Sequence, residues 1–114
     1  MADYNNEEQH QAKNYSFDVQ KLYIEMLLAD AESFARAQNI FNPKSFDRKL
    51  QPIAKFVKDY MDEYKVMPEV AQINAEHDIK LKEAKDLDPA HFNWLLDEFE
   101  TFSRHKALEQ AILS

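Results

Sequence analysis

FDRKLQPIAKFVKDYMDEY, residues 46–64, carries one unbroken apolar stripe. Phe46, Leu50, Ile53, Val57, Tyr60 and Tyr64 recur at alternating spacings of four and three, the period of one helix face. Phe56 and Met61 widen the stripe. Pro52 interrupts it, because a proline past the first turn removes a hydrogen bond. The pattern predicts a single turn over 46–50, then a helix proper from about Pro52 to about Lys65, with Tyr60 as a core residue. No stretch of the chain shows β-alternation, and none repeats. The fold class expected is all-α, a compact bundle of about five or six helices.

Upstream, Ser16 or Asp18 suits an N-cap. Val19, Leu22, Tyr23, Met26 and Leu27 follow at helical spacing, with Ile24 and Leu28 broadening that face. Asp30 is the expected cap of a short helix from Ala31 to Gln38 that turns Phe34 and Ala35 inward. Asn39 to Ser45 reads as a loop, because the residue before Pro43 avoids the helical region. Ile40 and Phe41 are expected to plug this loop into the core.

Downstream, Val66-Met67-Pro68 breaks the chain. Pro68 fits the first turn of a short helix to about Ala75, with Val70 and Ile73 inward. Ile79 and Leu81 anchor an irregular stretch to Leu87. Asp88-Pro89 is a cap followed by a first-turn proline. The last helix then carries Phe92, Leu95, Leu96, Phe99 and Phe102 on one face. Past Arg104 the apolar positions shift to another face, Ala107, Leu108, Ala111, Ile112 and Leu113. A helix that changes faces leaves one body and meets another. With no capping glycine or asparagine, it is expected to run to the end of the chain, as in a fragment cut in mid-helix. The organisation expected is a disordered tail over 1–14, a globular helical domain over 15–88, and a long helix over 89–114.

Composition narrows function by exclusion. The 114 residues contain no glycine and no cysteine. Phosphate loops, dinucleotide fingerprints and nucleophile elbows all need glycine, and thiolate metal sites need cysteine. His91 and His105 lie on one helix about 21 Å apart along the axis, too far to share a metal. His10 falls in the tail and His77 in a turn. Asp97, Glu98 and Glu100 read as a solvated outer face, with nothing beside them to split their pKa values. No catalytic residue, metal ligand or cofactor site is expected.

The net charge is −7. Residues 43–65 hold six basic and four acidic side chains, so the rest of the chain carries −9. Arg48, Lys49, Lys80, Lys82 and Lys85 could touch nucleic acid, but interleaved acids blunt their field. A protein partner fits this balance better than duplex DNA, which rewards many phosphate contacts. The N-terminus lacks the basic and apolar regions of a signal peptide, so a cytoplasmic location is expected.

With the helices laid out this way, the sequence resembles the N-terminal domain of DnaB-type replicative helicases, particularly the phage-encoded branch. Residues 19–34 (VQKLYIEMLLADAESF), 46–68 (FDRKLQPIAKFVKDYMDEYKVMP) and 102–113 (FSRHKALEQAIL) carry the likeness, which spans about 17–114. The chain departs from the bacterial pattern at Glu25-Met26, where that pattern has a glycine, and at Ala31, where it often has a proline. Pro52 is unusual there, and residues 80–85 replace a glycine pair.

The resemblance implies a non-catalytic collar of a hexameric, ATP-driven DNA helicase. The last helix would belong to a protruding helical hairpin through which subunits pair, with Phe102, Arg104, His105, Lys106, Leu108, Ile112 and Leu113 at the interface. The collar would dock primase or a helicase loader during DNA replication. DNA, ATP and Mg would be engaged only by the parent ring and its motor, in the host cytoplasm if the protein is phage-encoded. A reading independent of the family is a free-standing acidic adaptor or inhibitor that binds a host replication factor.

Overall fold

A computed structural model describes residues 15–84 and 88–113, the side chains of Ser33 and Leu113 excepted. Among these residues the chain forms five α-helices and no strand. They are α1 (Phe17–Ala29), α2 (Ala31–Ala37), α3 (Gln51–Tyr64), α4 (Val70–Glu76) and α5 (Pro89–Leu113). Two single 3-10 turns, Gln38–Ile40 and Pro43–Ser45, join α2 to the approach of α3. The expected tail over 1–14 lies outside the described residues, as do Lys85 and Leu87.

α1, α2 and α5 each start where a side chain satisfies a free backbone N–H group. Ser16 Oγ accepts the Val19 N–H at 3.3 Å and Asp30 Oδ1 accepts that of Glu32 at 3.1 Å. Asp88 Oδ1 accepts from Ala90 N–H at 3.1 Å. Pro52 is the second residue of α3, where no intrahelical N–H is required, so it opens the helix instead of breaking it. α4 begins at Val70, two residues after Pro68, because Glu69 and Gln72 form a reciprocal capping box there. α3 ends on Lys65, which takes the left-handed conformation at φ 60°, a role that glycine usually fills.

α1 packs on α2 and α5, and α2 on α5. Between them lies an aromatic hub drawn from four segments. Phe34, Phe41, Phe46, Phe99 and Phe102 are each no more than 3% exposed. Ring centroids are 5.3 Å apart for Phe34 and Phe41, 5.4 Å for Phe41 and Phe46, and 5.5 Å for Phe46 and Phe102. Leu50, Ile53, Ala54 and Val57 bring the α3 stripe into the same core.

Several expected core positions lie elsewhere. Ala35 is exposed, and Ala37 is buried in its place, because Phe34 and Ala37 share a face at i,i+3 spacing. Ile40 is 38% exposed while Phe41 enters the hub, since the 3-10 turn directs only the latter inward. Val19 and Leu22 sit at the edge of the buried face of α1. The α3 stripe also leaves the core before its end, with Tyr60 half-buried and Tyr64 exposed.

Polar side chains tie the irregular segments down. The buried Gln20 accepts the Asp47 N–H through Oε1 and donates through Nε2 to the Tyr15 carbonyl, both at 2.6 Å. Residues 79–84 run without regular structure, yet Asn74 pairs with Leu81 as a strand neighbour would. Its Nδ2 donates to the Leu81 carbonyl at 2.9 Å, and its Oδ1 accepts the Leu81 N–H at 2.8 Å. The carboxylate of Glu25, also buried, accepts the Lys82 N–H at 2.7 Å and pairs with Lys21 at 3.3 Å.

Candidate interaction surface

α5 divides at about Arg104. Its first half lies in the core, with Leu95, Leu96, Phe99 and Phe102 all buried. Its second half offers side chains to solvent. Arg104 and His105 are exposed, Lys106 is half-buried, and Leu108 and Ile112 are 63% and 75% exposed. Arg104, Leu108 and Ile112 follow at i,i+4 spacing and therefore form one row along the helix. The side chain of Leu113 lies outside the described residues.

Phe102 does not belong to this surface. It is 0% exposed, with its ring 5.1 Å from that of Tyr15 and 5.5 Å from that of Tyr23. The apolar pattern alone runs through Phe102 without a break, whereas the packing of α1 covers it. Gln110 Nε2 donates to the Lys44 carbonyl at 3.3 Å, so α5 stays tied to the 3-10 turn at Pro43–Ser45 beyond the point where its apolar row turns outward. Lys106 and Glu109 pair along the helix at 3.6 Å.

A second surface lies on the other side of α3. Phe56, Tyr60 and Tyr64 form a ladder of rings, with centroids 5.9 Å and 4.6 Å apart. His77 meets the face of Phe56 edge-on at 5.5 Å. The ladder, with Asp59, Glu63 and Glu76, lines an open groove of about 540 Å³ between α3 and α4. The apolar spacing predicts Tyr60 as a core residue and Tyr64 as the end of the same stripe, whereas both line this groove. The interleaved Asp59, Asp62 and Glu63 were the available sign that this end of the stripe faces water.

The three described histidines are not brought together, and His10 lies outside the described residues. His77 lies against Phe56, His91 against Trp94 at 5.9 Å, and His105 against Tyr15 at 6.2 Å. Among the described residues no group of three or more His, Cys, Asp or Glu side chains is placed to hold a metal ion. Asp97 is exposed and Glu98 and Glu100 are half-buried on α5. Burial pushes the Tyr23 phenol above the usual tyrosine range, with the Glu98 charge as the second cause and Tyr15 as the third. That phenol sits in the core, 2% exposed. No described helix is long and apolar enough to cross a membrane. No protein-family model, curated protein or solved structure matches the chain.

Proposed function

We propose that this chain is a non-catalytic assembly and docking domain, and that it serves as the collar of a hexameric DnaB-type replicative helicase. The observation that carries the assembly role is the exposed row of Leu108 and Ile112 on the outer half of α5. The collar assignment rests on the sequence resemblance and on the order of helices it implies. In this reading the first half of α5 closes the globular body and the second half waits for a neighbouring subunit. Primase or a loader docks on the assembled collar, and ATP hydrolysis belongs to a motor domain following in the parent protein.

Two apolar side chains per copy make a weak interface. Fully burying a Leu or Ile contributes about 1.5–3 kcal/mol, and both residues are already partly covered. Two copies therefore gain roughly 5 kcal/mol, close to the ~4–15 kcal/mol lost in association. The expected state of this chain alone is a monomer or weak dimer. Light scattering tests the reading on this chain and on a version extended by about 40 residues of its gene, enough for a turn and a second helix. Extension should yield trimers or hexamers, and Ile112→Glu should abolish them. Two clean monomers, or an open reading frame that ends at Ser114, would sink the collar reading.

A further inference from the structure

A cleft of about 390 Å³ opens between the 36–45 segment and the middle of α5. Arg36, in the last turn of α2, and Arg104, on α5, stand in its walls. Both are exposed, and neither makes an ion pair among the described residues. Glu100 lines the same cleft four residues before Arg104, the favourable order for a helix pair, yet the two are not bridged. Ser103 forms part of the lining, is 6% exposed, and its Oγ has no hydrogen-bond partner among the described residues. A helical serine commonly turns its hydroxyl back to the carbonyl one turn earlier, and this one does not. A buried unsatisfied hydroxyl in a lining that it shares with two arginines calls for an acceptor.

We propose that this cleft is a phosphate site, in which Arg36 and Arg104 clamp one phosphate group and Ser103 Oγ donates to it. Two guanidinium forks offer more donors than a single carboxylate can accept, and with Glu100 in the wall the lining keeps a net charge of +1, which suits a singly charged phosphate. The ligand class is a small phosphate or phosphate ester rather than a nucleic-acid backbone. The chain carries −7 overall, and Glu100 stands in the wall where a neighbouring backbone phosphate would pass. A polymer would also need many such contacts, and this cleft supplies two cations. The site does not rest on the collar reading, although Arg104 belongs to both surfaces.

Inorganic phosphate, titrated into the full chain at constant ionic strength and followed by amide NMR shifts, tests the proposal. The expected result is saturable shifts confined to residues 36–45 and 100–107, competed by sulfate and not by chloride. Arg36→Gln and Arg104→Gln should each weaken binding about tenfold or more, the effect of losing one charge-assisted contact. Ser103→Ala should weaken it several-fold, and Lys55→Gln, remote and exposed, should leave it unchanged. Should a Gln variant melt early, Arg36→Lys and Arg104→Lys keep the charge, lose the fork, and should still bind more weakly than the parent. Shifts that chloride reproduces, or arginine variants that bind as the parent does, would overturn the site. A single-stranded oligonucleotide moving the same amides at lower concentration would overturn the small-ligand assignment.

Discussion

Truncating Phe102 separates the two halves of α5 more sharply than any other single change. Its ring is 0% exposed and has four aromatic neighbours, Tyr15, Tyr23, Phe46 and Phe99, with centroids 5.1, 5.5, 5.5 and 6.1 Å away. All four distances fall in the range where aromatic pairs add about 0.5–1.5 kcal/mol each beyond area burial. A buried Phe→Ala change typically costs ~3–5 kcal/mol, and a hub position with little room to collapse belongs at the upper end. Phe102→Ala should therefore cost about 5 kcal/mol, a third to all of the ~5–15 kcal/mol that holds a typical domain together. At roughly 4–8 °C per kcal/mol for a chain of this size, the melting midpoint should fall by about 20–40 °C.

Leu108→Ala is the matched control, only six positions further along the helix. Leu108 is 63% exposed, so its truncation should change stability by no more than ~0.5 kcal/mol while weakening any self-association. Urea unfolding followed by far-ultraviolet circular dichroism reads both variants. A Phe102→Ala cost under ~2 kcal/mol would refute the hub, since no buried ring with four ring neighbours comes away so cheaply. An equal loss from Leu108→Ala would refute the division of α5 at Arg104.

Two further predictions follow from the core and from the absence of glycine. Because burial raises the folded-state pKa of Tyr23, the folded protein holds its phenolic proton more tightly than the unfolded chain, whose value is near 10.0. Stability from this group is complete below that pH and falls above it by up to about 1.4 kcal/mol per pH unit; Tyr23→Phe should flatten the alkaline arm of a stability-versus-pH curve. Lys65→Gly should stabilise the fold by about 0.5–1 kcal/mol in thermal melts, relieving the left-handed strain at φ 60° at the cost of the Lys65 Nζ bond to the Asp62 carbonyl.

The helices were legible because their signals are local. Asp30, Asp88-Pro89 and the 46–57 spacing act through neighbours within one or two turns, and the fold obeys each of them. What escaped was set by partners distant in sequence. Ala37 is the exception, since it shares a face with Phe34 at i,i+3 spacing and Ala35 does not. Nothing near Phe102 distinguishes a core ring from an interface ring. No local signal marks Glu25, whose carboxylate anchors the Lys82 backbone far along the chain. The cleft is the extreme case, because Arg36 and Arg104 come to line one cleft only after α2 docks on α5.

The same contrast explains how a chain without glycine builds irregular connections. Glycine would let the backbone bend where side chains clash. Here, side chains make the bends instead: Lys65 accepts a left-handed geometry, Asn42 caps a proline-led turn through Lys44 N–H at 3.0 Å, and Asn74 supplies the ladder that 79–84 lacks. Each of these connections is consequently bonded to a helix, including the 36–45 segment that forms one wall of the cleft. Its Phe41 sits in the hub, and its Lys44 carbonyl accepts from Gln110 on α5. A change of position in the outer half of α5, as on meeting a neighbouring subunit, would therefore be felt directly between Arg36 and Arg104.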